Sequence, residues 1–283
     1  MRASLPKKGL SYPQYSTHLP RPHQGMRNLL GGLYDLAEKS DSLVAGSVGE
    51  IIVGAETYQI PRFIYMGPTG GGDTIRVGIL AAIHGDEPEG AEALVGFLQA
   101  LERDPQVARG FHIYAYPICN PAGFVRRTRE NAAGQDLAAE FWRNSQQPEV
   151  YYLEREIGVL RFHGVIALQT EKFNPGFGAN TSSPILNQAL AGPAVAAADR
   201  WLAGSAGKPQ ATVDCGAFIN NDDDDDEAVD FLTTTHELNP PPFELHLGIP
   251  RQQSRAVQVQ GTVSALQSIL DSLRHLQSIS QNI

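Results

Sequence analysis

The chain of 283 residues contains only two cysteines, Cys119 and Cys215. Two cysteines are too few for the disulfide framework of a small secreted domain, and a chain of this length can bury a large core without one. Both lie among apolar residues, which is typical of free thiols buried in a reducing compartment. We therefore expect a single domain over residues 1–283, in the cytoplasm.

The sequence also lacks long apolar runs and an excess of basic residues. No stretch approaches the roughly 20 apolar residues of a membrane-spanning helix, and residues 1–20 contain no apolar core of signal-peptide length. Lys and Arg number 22 against 31 Asp and Glu, so the formal net charge is −9. Because binding to phosphate backbones needs a basic face, we expect neither a nucleic acid nor a membrane as a partner.

Two segments are poor in residues that support regular structure. The four prolines Pro6, Pro13, Pro20 and Pro22 predict an extended N-terminal arm over residues 1–25. Five consecutive aspartates, Asp222 to Asp226, repel one another. This favours a solvated loop over the alternative of a calcium site.

Apolar patterns predict alternating strands and helices through most of the chain. The run from Val77 to Ile83 is built of β-branched and small residues without polar alternation, as expected for a strand covered on both faces. Pro88 then opens a helix whose apolar residues recur at helical spacing as far as Leu101. Such alternation is typical of an α/β protein, here a three-layer α/β/α sandwich around a mixed, mostly parallel sheet. Further strands are predicted at 47–53, 58–66, 111–116, 164–168, 212–219 and 230–236, and further helices at 29–37, 148–160, 193–202 and 263–276.

His84 and Glu87 follow the central strand at its C-terminal end, where open α/β sheets place their ligand crevices. One imidazole and one carboxylate at this spacing match part of the ligand set of two-histidine, one-glutamate catalytic zinc sites. In the alternative interpretation Asp86 and Glu87 only favour the helix start electrostatically, and His84 only ends the strand. This segment alone does not decide between the two.

Five motifs follow one another in a characteristic order. They are His84-x-x-Glu87, Asn120-Pro121-x-Gly123, Thr128-Arg129-x-Asn131-x-x-Gly134-x-Asp136-Leu137, the strand-end Gln169 and the late strand-end Glu237. Their order, over about residues 75–237, resembles the zinc carboxypeptidase superfamily, and in particular its succinylglutamate desuccinylase/aspartoacylase-like branch of small prokaryotic metallopeptidase-like proteins. The resemblance implies a zinc-dependent exopeptidase-like fold and a zinc hydrolase of small peptides or N-acyl amino acids.

The resemblance also implies a role for each matching residue. His84 and Glu87 correspond to zinc ligands, and Arg129 corresponds to the arginine that stabilises the oxyanion. Glu237 corresponds to the general base that activates the zinc-bound water.

The chain departs from the family pattern in two places. Ala138 and Ala139 stand where family members carry the Asn-Arg pair that grips the substrate carboxylate. Gln169 stands where the third zinc ligand is a histidine, and an amide oxygen is a poor zinc ligand beside imidazole. Either Gln169, or Glu171 two residues further on the same strand face, completes a weakened site. Otherwise the protein has lost metal chemistry and is a catalytically inactive binding or regulatory module.

Two other histidines are less suitable replacements for the missing ligand. His163 precedes its strand, which predicts a position at the opposite end of the sheet. His236 is next to the presumed base Glu237, and strand alternation predicts that it faces the other way.

Overall fold

The computed structural model describes residues 23–172, 174–181, 183–202, 212–215, 238 and 240–280, with the backbone alone for 212–215. Within these residues eight strands pair into one mixed sheet. The strands are β1 (Leu43–Val53), β2 (Glu56–Met66), β3 (Ile75–Ala81), β4 (Phe111–Tyr116), β5 (Gly164–Glu171), β6 (Gly178–Thr181), β7 (Thr212–Cys215) and β8 (Phe243–Pro250). Their order across the sheet is β1-β2-β4-β3-β5-β8-β6-β7.

The four central strands, β4, β3, β5 and β8, run parallel to one another. The β1–β2 hairpin adds antiparallel to β4, and β6 adds antiparallel to β8. The carboxyl ends of the four central strands therefore meet at one edge, which is where such sheets bind ligands. The predicted mixed, mostly parallel sheet is confirmed.

Helices cover both faces of the sheet. One core packs α1, α2 and α7 against one face, and a second core packs α4 against the other. This arrangement confirms the predicted three-layer α/β/α sandwich. The helices are α1 (Arg27–Ala37), α2 (Pro88–Arg103), α3 (Pro121–Arg126), α4 (Pro148–Leu160), α5 (Pro184–Leu186), α6 (Gly192–Asp199) and α7 (Arg255–Ser280), with a π-helical turn at Asn187–Ala191 joining α5 to α6.

The central strand ends two residues earlier than the apolar run predicts. Ala82 adopts a left-handed conformation with φ of 46°, which takes the chain out of the pleat. The carbonyls of Ala81 and Ala82 accept hydrogen bonds from the backbone N–H groups of Cys119 and Asn120. The two loops that follow β3 and β4 are joined by these bonds at the crevice edge.

Sequence patterns missed two strands, β6 and β8. β8 begins directly after the triplet Pro240-Pro241-Pro242, which the sequence analysis treats as the end of strand structure. Proline is excluded from the interior of a ladder but can precede a strand without removing any of its donors.

Some of the predicted segments lie outside the described residues. They are the strand at 230–236, residues 1–22 of the predicted arm and the run from Asp222 to Asp226. The last two residues of the predicted arm, Gln24 and Gly25, belong to the short 3-10 turn Gln24–Met26, which leads into α1.

Two further sequence expectations concern the thiols and the membrane. Cys119 is a buried free thiol, and burial raises its pKa to about 12, so it is inert as a nucleophile at neutral pH. The side chain of Cys215 lies outside the described part. Across the described ranges, no helix combines the length and the apolar character that a bilayer crossing needs.

Candidate active site

His84 and Glu87 lie together at the carboxyl edge of the sheet, between the end of β3 and the start of α2. Both are buried, with 7% and 6% of their surface exposed. Glu87 occupies the N-cap position of α2 but forms no capping hydrogen bond there. Its carboxylate faces His84 Nδ1 at 3.2 Å and accepts the backbone N–H of Thr170 at 3.1 Å. Glu87 therefore contacts groups of the crevice and does not serve as a simple helix cap.

The second ring nitrogen of His84 is held by a residue distant in sequence. His84 Nε2 lies 3.0 Å from the Oδ1 atom of Asp136. A histidine that binds a metal commonly donates its other ring N–H to a carboxylate, which orients the ring and makes it a better ligand. The pair of carboxylates around His84 therefore matches the surroundings of a metal-binding imidazole.

Arg129 completes a cluster of four charges. Its Nε donates to the Oδ2 atom of Asp136 at 3.0 Å, and its Nη1 lies 3.9 Å from Glu87 Oε1. The backbone carbonyl of Arg129 accepts hydrogen bonds from Gly85 N and Asn120 Nδ2. The loop that carries Arg129 is thus attached to the loops that follow both β3 and β4.

The loop that carries Asp136 is organised by Asn131. Asn131 Oδ1 accepts the backbone N–H groups of Ala133 and Gln135, and its Nδ2 donates to Gln147 Oε1 at 2.7 Å. Asp136 Oδ1 in turn accepts the N–H of Ala138 at 3.0 Å. These bonds fix the carboxylate that holds His84.

One glycine, Gly85, allows the close packing of these loops. A Cβ atom added to Gly85 would lie 2.1 Å from the carbonyl carbon of Gly123, far inside van der Waals contact. Only glycine at position 85 lets the segment after β3 rest directly on the start of α3. This contact sets how deep His84 sits in the crevice.

The charges in the cluster shift one another's pKa values. Burial alone lowers the pKa of His84, but hydrogen bonds and charges from Asp136 and Glu87 outweigh it and raise the pKa to about 9. Burial opposes the ionisation of Glu87 and Asp136, yet His84 and Arg129 hold the pKa of both carboxyls below their usual range. In the metal-free protein the cluster therefore carries two positive and two negative charges near neutral pH.

The third ligand position is the weak part of the site. Gln169 lies near the end of β5, directly before Thr170, whose N–H binds Glu87. Glu171 shares the strand face of Gln169, and burial together with the charge of Glu87 raises the pKa of its carboxyl. Among the described residues, however, no group of three His, Cys, Asp or Glu side chains is arranged to hold a metal ion, because Asp136 contacts the ring nitrogen of His84 that does not face Glu87.

The remaining predicted residues are distributed as follows. Ala138 and Ala139 lie in the short 3-10 turn Leu137–Ala139, directly after Asp136. His163 lies at the opposite edge of the sheet, where its N–H donates to the carbonyl of Arg76. Glu237 and His236 lie outside the described residues.

Sequence reasoning missed a buried carboxylate–imidazole pair on β8. Glu244 Oε1 lies 3.0 Å from His246 Nε2, and both residues are 3% exposed. The register pairs His246 with Ala167 and Gly248 with Gln169, so the pair faces the same side of the sheet as Gln169. Alternation of polar and apolar residues in 243–247 was the available signal, but the preceding prolines obscured it.

No family model and no curated protein matches this sequence. Solved structures do match in fold. The metallo-carboxypeptidase from Burkholderia cenocepacia superposes with a TM-score of 0.65 at 16% identity, covering 90% of this chain and 70% of that chain. A metallo-carboxypeptidase from Pseudomonas aeruginosa, solved in complex with (2-guanidinoethylmercapto)succinic acid, gives 0.61 at 16% identity, covering 89% and 70%.

A third similar structure is the product-bound ectoine utilization protein EutE (DoeB) from Ruegeria pomeroyi. Its TM-score is 0.57 at 15% identity, with 82% of this chain and 67% of that chain covered. At such identities the likeness establishes the fold. The fold of this chain is therefore that of the metallo-carboxypeptidase-like proteins, in agreement with the sequence resemblance at that level.

Proposed function

We propose that this protein is a hydrolase of the metallopeptidase kind that cleaves an amide bond in a small peptide or an N-acyl amino acid. The observation that carries the proposal is His84, held between the carboxylates of Glu87 and Asp136 at distances of 3.2 and 3.0 Å. This arrangement lies at the carboxyl edge of a sheet whose fold is shared with metallo-carboxypeptidases. A carboxylate-oriented imidazole beside a second carboxylate is a donor set suited to zinc.

Zinc would be held by His84 and Glu87, with Gln169 as a weak third ligand. Bound zinc polarises a scissile carbonyl and lowers the pKa of its water to about 7. Because the pKa of His84 is raised to about 9, metal binding must displace a proton from the imidazole. Both features, the amide ligand and the competing proton, predict weak zinc affinity at neutral pH.

The chain's own residues then have separate tasks. Asp136 keeps the His84 ring in one orientation. Arg129, whose guanidinium lies within 3.9 Å of Glu87, would face the oxyanion that forms on the substrate carbonyl, where a preorganised donor contributes roughly 3 to 4 kcal/mol. The proton of the attacking water must pass through a further group to the leaving amine, and the described residues do not support the assignment of this task to Glu237, whose neighbour Leu238 lines a groove at the opposite edge of the sheet.

The test uses protein purified without added metal. Zinc titration should restore hydrolysis of N-acyl amino acids or dipeptides, and Glu87→Gln should abolish that response. Glu89→Gln is the matched control, because Glu89 lies on the same helix and accepts Thr170 Oγ1 at 3.0 Å without contacting His84. If zinc produced no turnover across a panel of acyl amino acids and peptides, the hydrolase proposal would be wrong.

The second candidate function is a catalytically inactive binding module. It is favoured by Gln169 at the ligand position and by Ala138 and Ala139 at the clamp position. It is also favoured by the mutual neutralisation of the four charges around His84. In that case N-acyl amino acids or peptides would bind without being hydrolysed, and the affinity would not change when zinc is added.

A further inference from the structure

A groove with basic residues lies at the edge of the sheet opposite His84, on the face covered by α4. Its lining combines the basic residues Arg76, Arg161 and His163 with apolar ones, among them Phe162 and the three prolines at 240–242. The groove encloses about 380 Å³, which is enough for a small organic molecule. We refer to it as the basic groove.

The backbone of β3 fixes the imidazole of His163. The N–H of Arg76 donates to His163 Nδ1 at 3.0 Å, and the N–H of His163 donates to the carbonyl of Arg76 at 2.8 Å. Since Nδ1 accepts a hydrogen bond, the neutral ring carries its proton on Nε2. Among the described residues no acceptor takes that N–H, so it can donate to a ligand.

The guanidinium of Arg76 is also held in place. Its Nε and Nη2 donate to the carbonyl of Arg161 at 3.3 and 3.2 Å. Arg161 follows the last residue of α4 in a left-handed conformation with φ of 47°, so its carbonyl is turned towards Arg76. The Arg161 side chain is exposed. Within the described part of the chain, neither arginine forms an ion pair with a carboxylate.

The positive charge of the groove acts on its neighbours. Burial and the charge of Arg76 lower the pKa of His163, and the same two causes lower the pKa of His112, the residue paired with Arg76 on β4. The charge of Asp73 acts in the other direction on His163 but does not cancel the effect. An anion bound here would be attracted by the charge of Arg76, which acts on both imidazoles.

The rest of the groove's lining is apolar. Phe162 fits against Gly78, where an added Cβ would lie 2.8 Å from the ring, so the absence of a side chain at position 78 makes room for it. The rings of Pro240, Pro241 and Pro242 add rigid apolar surface. A ligand that uses the whole groove therefore combines an anionic group with an apolar one.

We propose that the basic groove binds a small phosphate monoester, with the phosphate on Arg161, Arg76 and His163 and the apolar group on the prolines. Two guanidinium groups and an imidazole N–H supply more donors than the two oxygens of one carboxylate can accept. The three terminal oxygens of a phosphate match them better. This site is independent of the proposed amide hydrolysis, since it lies at the other edge of the sheet.

The experiment measures binding of phenyl phosphate, inorganic phosphate, benzoate and phenol to the full chain, by calorimetry and by NMR of the histidine rings. Phenyl phosphate should bind most tightly and shift the His163 resonances. Arg161→Gln should weaken it about tenfold, the loss expected for one charge-assisted contact. Arg155→Gln is the matched control, because Arg155 is an exposed residue of α4, the helix that Arg161 follows, and does not line the groove.

Three outcomes would overturn the proposal. Benzoate or phenol binding as tightly as phenyl phosphate would show that phosphate is not recognised. An equal loss of phenyl phosphate affinity in the Arg155 and Arg161 variants would show that the ligand is attracted only by general positive charge. The third is the absence of binding to the wild-type chain at millimolar phenyl phosphate. Arg161 makes no described side-chain hydrogen bond, so a melting temperature close to wild type should verify that its variant is folded.

Discussion

His84 is the residue on which the candidate site depends, because each of its ring nitrogens faces a carboxylate. The hydrogen bonds to Glu87 and Asp136 stabilise the imidazolium enough to raise the pKa to about 9 from an ordinary value of about 6.5. A proton bound this firmly competes with any metal. The metal-free protein and a zinc-loaded protein should therefore respond differently to pH.

The first prediction concerns stability of the metal-free protein between about pH 6.5 and 9. The pKa of His84 is higher in the folded than in the unfolded protein, so protonated His84 stabilises the fold. This contribution to the free energy of unfolding is complete below the unfolded pKa and is lost as pH rises through the folded pKa of about 9. At about 1.4 kcal/mol per pKa unit, the loss is at most roughly 3 kcal/mol. Urea unfolding in the presence of a chelator measures it. His84→Gln should give a flat profile across this window, and an equally steep decline in that variant would assign the effect to other groups.

The second prediction concerns the ligand at position 169. An amide oxygen holds zinc less well than an imidazole, so Gln169→His should strengthen zinc binding by at least about tenfold. Competition with a chromophoric chelator gives both affinities without reference to activity. Equal affinities would mean that position 169 does not take part in metal binding, and Glu171 would then be the residue to substitute.

The contact between the loop after β3 and the start of α3 sets the positions of the proposed zinc ligands His84 and Glu87. Its closeness depends on Gly85, since an added methyl group would lie 2.1 Å from the backbone of Gly123. The helix α2 follows at once, so a displaced loop would carry both His84 and Glu87 with it. The local stability of this junction and the geometry of the site are therefore coupled.

The third prediction follows from this junction. Gly85→Ala should destabilise the protein by roughly 3 kcal/mol, because the backbone must move to remove the overlap. Gly32→Ala is the contrasting control: Gly32 lies exposed in α1 with nothing within 4 Å of an added Cβ. That substitution should stabilise by roughly 0.5 to 1 kcal/mol. Denaturant unfolding of both variants provides the comparison, and effects of the same sign would contradict the packing argument.

The molecule as a whole presents two chemically different edges of one sheet. The carboxyl edge carries a neutralised cluster of two cations and two anions, whereas the basic groove at the opposite edge contains two arginines that pair with no carboxylate of the described residues. Parallel strands produce this separation, because all their carboxyl ends, and so the loops that follow them, lie on one side. Substrate selection at the carboxyl edge then depends on which side chains the surrounding loops supply.

The fourth prediction concerns that selection. The turn after Asp136 contains Ala138 and Ala139, which provide neither a charge nor a side-chain donor. A free α-carboxylate bound there would lose its hydrating water without gaining a hydrogen-bond partner. Hydrolysis should therefore not favour a peptide with a free C-terminus over its amidated form. The double substitution Ala138→Asn with Ala139→Arg should create such a preference. A wild-type preference for the free carboxylate, unchanged in the double variant, would show that another residue, such as Arg126 or Arg127, supplies the clamp.

Local apolar patterns were sufficient to predict the elements whose structure depends on residues close together in sequence. The apolar run before His84 specifies a buried strand, and Pro88 with its helical spacing specifies α2, so the position of His84 and Glu87 at a strand end follows from one short segment. Motif order was sufficient for the fold. For the strand and the helix the determining contacts lie within a few residues or repeat with a fixed period, whereas the motifs indicated the fold through their resemblance to a known superfamily.

Contacts between distant segments required the tertiary structure. Asp136 reaches His84 across 52 residues, and β8 pairs with β5 although three prolines precede it. Neither follows from periodicity, because strand pairing and loop contact are set by which surfaces can be buried together once the whole sheet forms. For the same reason the positive charge around Arg76 became visible only when β3, β4 and the end of α4 were brought to one edge.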